Sequence, residues 1–529
     1  MFAVVALALF LAPLVASAPL FDPDEGLHAA IAQEMVARGD YVTPTFRGEP
    51  FLDKPILFFW AEAASLRLVG HNEAAVRIPP LLFGLFGMVT IVALGRVLFG
   101  ESAGLVAGIV YGTMLLPLAV SEVAVHDIGL VPFLCLAALS IAKVVETGNP
   151  VLHGVLAGIA LGLSILTKGL VGIVFTGIFA ACLVARRPSS IVRVTVALTI
   201  AVVVAVAVAA PWYLAMEHAH PGYLHYYFVE RHLQGYLTAT QRHAGRPFWY
   251  YVPIVIGGTL PWAGYLLAAA RAARETSLRA ALWGWFAIGL VFLSIGESKL
   301  VTYALPLFPA LALIVGEYLA SLRSAPLRNE GVLFKLAFAA QVLSLALLPS
   351  LGLMAIQWKF GAVHPYLWMS VVVFSLLAID SARRAARSTS EHGFMAGVVR
   401  MTLYTIVALV IVAPRAAIWM TGRDLAAALN TAKALPPHLA LVDERIGSVI
   451  FYLDPSLRRE ATTDRVETAS FSEAMTRIRT DPPDAVTAVR NSQLPRFNRM
   501  FPSPPAPDAL AGTYSLFRAD TLRTALRVP

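Results

Sequence analysis

Apolar stretches of about 17–25 residues recur from the first residues to about residue 414. Each is long enough to cross a hydrocarbon core of ~30 Å. In lipid every backbone polar group must be satisfied inside the protein, so only helices and closed barrels can span it. Barrel strands alternate apolar and polar residues, whereas these runs are solid. The chain therefore reads as mainly α, a polytopic membrane helical bundle. Its composition agrees, with 58% hydrophobic and 14% charged residues; an ordinary soluble domain is about a quarter charged.

About 13 spans are expected, at roughly 2–20, 79–98, 104–121, 128–145, 151–166, 170–185, 194–215, 249–270, 280–296, 300–320, 332–355, 365–381 and 397–414. Arg96, Lys143, Arg186/Arg187 with Arg193, Arg271/Arg274/Arg279, Arg323 with Arg328, and Arg383/Arg384/Arg387 fall in every second connection. The positive-inside rule makes those connections cytoplasmic. The loops 21–78 and 216–248 and the tail after 414 are then outside. The net charge of +8 follows from this asymmetry; no RNA- or DNA-binding motif accompanies it. The first span is expected to be a retained anchor, since no basic residue precedes it, although Ala16-Ser17-Ala18 resembles a cleavage site. Cys135 and Cys182 both lie in expected spans and read as small packing residues, which leaves no disulfide framework or cysteine metal site.

From about 415 to 529 charge and proline return. Short β-like runs appear at Leu439–Val442, Ser448–Leu453, Ala485–Val489 and Thr513–Phe517, with helix-compatible segments at 423–434 and 470–479. This predicts a small C-terminal α/β domain outside the membrane, following a transmembrane region over 1–414.

The loop 21–78 carries two short helix patterns. Leu27, Ile31 and Met35 recur at helical spacing until Gly39, as in an interfacial amphipathic helix. Asp22, Pro23 and Glu25 resemble a capping box at its start, which leaves Asp24 without a capping duty. The second piece begins at Asp53-Lys54-Pro55 and runs through Phe59, Trp60, Ala63 and Leu66 to Gly70. By themselves Asp53 fits a cap and Lys54 a solvated charge.

The set as a whole resembles one family. An external Asp24-Glu25 just after the first span is followed by a helix ending near Ala37-Arg38-Gly39-Asp40-Tyr41, then by Asp53-Lys54-Pro55. Further along come Thr167-Lys168-Gly169, Pro247-Phe248-Trp249-Tyr250-Tyr251, Leu260-Pro261-Trp262, and Ser298-Lys299-Leu300 with Tyr303 and Leu305-Pro306. In this order and on one side of the membrane, they resemble the GT-C superfamily of polyprenyl-phosphate-sugar glycosyltransferases. The branch is that of the aminoarabinose (lipid A) transferases and dolichyl-phosphate-mannose-protein mannosyltransferases. The resemblance covers roughly residues 20–320.

It implies a GT-C-like bundle with juxtamembrane helices, and transfer of a sugar from a lipid-linked phosphate to an envelope acceptor at the outer face. A carboxylate must take the acceptor's proton, and cations must stabilise the departing phosphate. The implied base is Asp24, with the acceptor attacking on the face opposite the leaving group so that configuration inverts. Asp127 in His126-Asp127 matches a second carboxylate of the family. Lys54 leads the implied phosphate ligands, with Lys168, Lys299, Tyr303 and Arg231 as further members. The loop 226–236 departs from the family pattern, with Glu230 at a His position and Gly235 at an Arg position, while His232 is kept. Some family members hold a metal here; Asp53, Glu230 and His232 carry oxygen and imidazole donors that suit zinc or manganese, without tight spacing.

Two other classes compete. A transporter or flippase places ionisable groups near the bilayer midplane. Here midspan positions are apolar, and Glu317 and Asp380 lie near cytoplasmic ends. A sensor or scaffold would leave the external lysines and aspartates without a purpose. The Ala-, Val- and Arg-rich multispan composition points to a bacterial cytoplasmic membrane. Donor, acceptor and surrounding lipids are the expected partners; the sequence is silent on which sugar, which acceptor and what oligomer.

Overall fold

The computed structural model of the chain describes residues 18–238, 245–272, 277–322, 330–360 and 363–527. The expected first span at 2–20 and its cleavage-like motif lie outside these residues, apart from Ala18 to Leu20. Among the described residues nine helices are long and apolar enough to cross a membrane, or up to 11 if each of two bent pairs is one span. Every other expected span falls on a helix or helix pair; Val171–Arg186 is a shorter apolar helix of 16 residues.

Two of the expected spans, 104–121 and 249–270, are broken. Glu101–Thr113 and Leu115–Ser121 meet at 67°, and Phe248–Gly258 and Ala263–Ala270 at 103°. Pro261 lies in the second break and has no N–H with which to continue a helix. Each break supplies partners for the other: the Leu115 N–H donates to the Leu260 carbonyl at 2.9 Å, and the Trp262 indole N–H to the Thr113 hydroxyl at 2.9 Å. Irregular backbone at membrane depth persists only where protein covers it in this way.

The helices Asp127–Thr147 and Pro150–Lys168 form a hairpin with a two-residue connection, so the start of the first lies beside the end of the second. Pro150–Lys168 also packs along Ile191–Ala219, where Gly154, Gly158 and Gly162 lie close against Ala197, Ala201 and Val208. Small residues allow the backbones to approach, the usual means of helix association without a hydrophobic drive.

Above this end lies a layer built from Asp24–Arg38 and Leu57–Val69 with a small hairpin, β1 (Thr45–Phe46) and β2 (Glu49–Pro50), between them. The first helix is not an interfacial amphipath. It packs on Leu57–Val69 and on the C-terminal helix Gly447–Tyr452 together, and Gly26, Ala29, Ala30, Ile31 and Ala32 are buried. The capping box does not form either, because the N-cap is Pro23 and Asp22 is used elsewhere. The Asp22 carboxylate instead accepts the Ser448 N–H at 3.0 Å and the Ser448 hydroxyl. Glu25 does reach back to the Phe21 N–H at 2.8 Å, and it also takes both arms of Arg77 at 2.8 Å.

Residues beyond 421 make a five-stranded sheet in the order β4-β3-β5-β7-β6. β3 (Leu439–Val442) pairs in parallel with β4 (Val466–Ala469) and β5 (Val486–Arg490). β7 (Tyr514–Arg518) runs antiparallel to β5 and to β6 (Ala509–Ala511). Side chains alternate across a strand. Leu439 and Leu441 accordingly face the apolar cluster shared with the bundle, and Ala440 and Val442 face a second cluster with Phe471, Phe497 and Phe517. The expected strand at Ser448–Leu453 is instead the helix Gly447–Tyr452. Its Val449, Ile450 and Phe451 favour strands in isolation, but packing on the first helix overrides that preference.

Candidate active site at the helix ends

Asp127 opens one helix of the hairpin and Lys168 closes the other. A carboxylate is thus at a positive dipole end and an ammonium at a negative one. The two form an ion pair with only 11% and 10% of their side-chain surfaces exposed. Thr302 donates a further hydrogen bond to Asp127. The Lys168 ammonium also sits 4.4 Å from the centre of the Tyr303 ring, within cation–π range. Gly169 follows with φ +81°, where an L side chain would strain the backbone and press on the His232 ring.

Lys54 comes in from the loop before Leu57–Val69. Its ammonium makes no hydrogen bond or ion pair with another described residue, yet its charge reaches Asp127, Lys168, His232 and Tyr303. With Asp53, Lys168, Arg231, His232, Tyr227 and Tyr303 it supplies polar lining to a cavity of about 520 Å3. Leu130, Val171, Val174, Phe292 and Pro306 supply apolar lining. The volume is that of a small-molecule site, apolar with a few placed polar groups.

The segment His225–Gln234 winds as a π-helix, a form often found at functional sites. It delivers Arg231 to Asp53 at 3.0 Å and the Tyr226 hydroxyl to the same carboxylate at 2.6 Å. Burial and the Asp53 bond push the Tyr226 hydroxyl up to about 12, so it remains a donor at neutral pH. His232 lies with Nδ1 2.7 Å from the Tyr227 carbonyl, and burial holds it below the usual imidazole value.

Asp24 lies in the first turn of its helix, exposed, and makes no hydrogen bond or ion pair with another described residue. It does not line the cavity, but its charge acts on Lys168, Tyr303 and His28. His28, one turn further on, is buried with Nδ1 2.9 Å from the Ala124 carbonyl and its ring centre 4.5 Å from that of His126. Burial lowers both imidazoles, so each is neutral at pH 7. Asp24 and Lys54 are thus an exposed anion and a cation at one end of the bundle, each without a hydrogen bond or ion pair to another described residue.

The structure therefore brings Asp24, Asp127, Lys54, Lys168, Arg231 and Tyr303 to one region. Two expected ligands are not brought in. Lys299 is buried, but its ammonium turns to the Arg246 carbonyl at 3.4 Å, and Ser298 lines the cavity in its place. Glu230 is 48% exposed beside His225, away from the cavity. Nor do Asp53, Glu230 and His232 assemble as metal ligands: Arg231 and Tyr226 occupy the Asp53 carboxylate. Among the described residues no group of three or more His, Cys, Asp or Glu side chains is arranged to hold a metal ion. Sequence reasoning gave no role to Tyr226, His28 or Thr302. His28 had one available signal, its place four residues after Asp24 on the same helix face.

A family model described as dolichyl-phosphate-mannose-protein mannosyltransferase matches residues 53–214. The chain is 32% identical to an undecaprenyl phosphate-alpha-4-amino-4-deoxy-L-arabinose arabinosyl transferase of Aeromonas salmonicida, over 56% of this chain and 55% of that one. It is 31% identical to the protein of that description from Pectobacterium carotovorum, over 66% of this chain and 63% of the relative. These matches span less than two thirds of the relatives' own length. The crystal structure of ArnT from Cupriavidus metallidurans bound to undecaprenyl phosphate aligns with a TM-score of 0.73 at 22% identity, covering 98% of this chain and 97% of that one. The two share a fold from end to end.

Proposed function

We propose that this chain belongs to the aminoarabinose-transferase family of GT-C glycosyltransferases and moves a sugar from a polyprenyl-phosphate donor to an envelope acceptor. The observation that carries this is an uncommitted carboxylate, Asp24, and an uncommitted ammonium, Lys54, at the end of the bundle that holds a cavity lined by both cationic and apolar side chains.

The donor phosphate meets Lys54 first, with Lys168 and the Tyr303 hydroxyl behind it and Arg231 at the rim. The prenyl chain lies along Val171, Val174 and Phe292. The acceptor oxygen attacks the anomeric carbon from the face away from the phosphate and loses its proton to Asp24. As the carbon–oxygen bond to phosphate breaks, the electron pair stays on the leaving phosphate, and the lysines stabilise the added charge. Asp127 keeps Lys168 charged and in place. The relatives' names carry an undecaprenyl phosphate-linked aminoarabinose, which supports a polyprenyl-phosphate sugar as the donor here.

The site belongs on the periplasmic face of a bacterial inner membrane, opposite Arg96, Lys143 and Arg186, with the sheet-bearing C-terminal region on the same side. A flippase is disfavoured because the site charges stand at helix ends and not at midspan.

Two measurements test the proposal. Mass spectrometry of envelope lipids and proteins, with and without the chain, should show one molecule losing a sugar; an unchanged profile would remove the enzyme reading. Lys54→Ala should raise the donor KM by about 10- to 100-fold, the equivalent of losing one charged hydrogen bond. The acceptor KM should move less than about twofold. Equal rises in both would make Lys54 structural.

A further inference from the structure

The backbone around Asp24 is tied to distant residues on both sides. Before it, the Leu20 N–H donates to the Tyr452 hydroxyl at 2.9 Å, and that hydroxyl donates to Glu73 at 2.9 Å. The Asp22 N–H donates to the Met420 carbonyl at 2.8 Å, while the Asp22 carboxylate accepts the Ser448 N–H at 3.0 Å and the Ser448 hydroxyl. The Ser448 hydroxyl oxygen in turn accepts the Gly422 N–H at 2.7 Å. After it, Gly26 meets Gly447 with no room for a side chain on either: a Cβ on Gly26 would stand 2.8 Å from the Ser448 Cα, and one on Gly447 2.7 Å from the Gly26 carbonyl carbon. Asp24, exposed like Pro23 before it, lies between these anchors, and every partner except Glu73 comes from beyond residue 419.

Such fixing is more than a cluster needs for stability alone. A general base must hold its carboxylate within a few tenths of an ångström of the attacking oxygen, and a misplacement of about 1 Å costs ~100-fold in rate. Asp24, with no side-chain bond to another described residue to orient it, depends on its backbone for that placement. We propose that Asp22 and Ser448 are positioning residues for sugar transfer, a latch by which the C-terminal region sets where Asp24 points. The inference rests on Asp24 being the base.

The test is a double-mutant cycle on the full-length protein in reconstituted membranes, with donor KM and kcat measured separately. Ser448→Ala and Asp22→Asn should each lower kcat about tenfold, while the donor KM, set at the cavity, stays within about twofold. Because both variants act on the Asp22–Ser448 hydroxyl contact, the double variant should be no slower than about the slower single. Ser448→Thr, which keeps the hydroxyl, should recover to within about threefold of the parent. Unchanged kcat in both singles would overturn the latch. So would losses that multiply, a donor KM that rises in step, or a threonine variant as slow as the alanine one. If Ser448→Ala fails to accumulate, the kcat of Asp22→Asn alone decides. Asp24→Asn run in parallel separates the two claims. Retained transfer there overturns the base assignment and the latch with it; lost transfer there, with Ser448→Ala and Asp22→Asn at full speed, overturns the latch alone.

Discussion

Asp24→Asn is expected to lower kcat for sugar transfer by about 100- to 10,000-fold, the range over which a positioned general base acts. The donor KM should change by less than about threefold. Most other carboxylates at this end of the bundle are engaged, and Glu62 and Glu122, which have oxygens without a hydrogen-bond partner, are held toward the protonated form by burial. Asp127 is bound to Lys168 and Thr302, Asp53 to Arg231 and Tyr226, and Glu25 to Arg77. Asp22 is engaged by Ser448. An acid already serving as a hydrogen-bond acceptor on both oxygens has little capacity left for an incoming proton. Asp24 faces outward with both oxygens uncommitted among the described residues, and asparagine there keeps the volume while losing the basicity. The measurement is transfer from a polyprenyl-phosphate sugar in proteoliposomes, with expression and thermal midpoint as controls. Retention of more than about a tenth of parental kcat would take the base role from Asp24.

The spans were legible in the sequence because a solid apolar run has few folded alternatives. Their breaks were not. Pro261 and Pro117 stand in runs as apolar as their neighbours, and membrane helices tolerate proline. Only the meeting of Leu115 with Leu260 shows that two spans bend together. The site was legible where a charge sits at an element's end, as with Asp24, Lys54, Asp127 and Lys168. Lys299 was misjudged because the chain turns its ammonium to a carbonyl, a matter of one residue's direction that spacing does not reveal. The same holds for the donor set of Asp53, Glu230 and His232. Its members are a few residues from coincidence, but Arg231 reaches Asp53 first. Ser448–Leu453 read as a strand because local preference is all a single sequence displays, and the first helix that overrides it lies more than 400 residues away.

Electrostatics at the cavity divide the work among cations of different standing. Lys54 offers a full charge to an incoming phosphate at no loss to a partner. Lys168 and Arg231 must share theirs with Asp127 and Asp53. On the proposed reading, a donor phosphate would meet its strongest attraction at Lys54, with Lys168 and Arg231 contributing less because each is shared with a carboxylate.

The Asp127–Lys168 pair should behave as a stability element whose removal by halves is worse than removal outright. Both side chains are about nine-tenths covered, so Lys168→Met leaves a carboxylate in a poorly solvated site and Asp127→Asn leaves an ammonium there. Breaking such a pair from one side costs about 3–5 kcal/mol, whereas replacing both partners is often close to neutral. Lys54 is near enough to act on Asp127, which places the Lys168→Met cost toward the lower end of that range, ~3 kcal/mol. Each single variant should lower the thermal midpoint in detergent by several degrees, and the Asp127→Asn/Lys168→Met double variant should regain most of the loss. Transfer activity should not return with it, since the cation facing the phosphate is gone. Additive losses in midpoint would show that the two groups are held independently and that the pair is a product of proximity. A double variant that regains both stability and turnover would remove Lys168 from the phosphate site and leave Lys54 to carry the leaving group's charge.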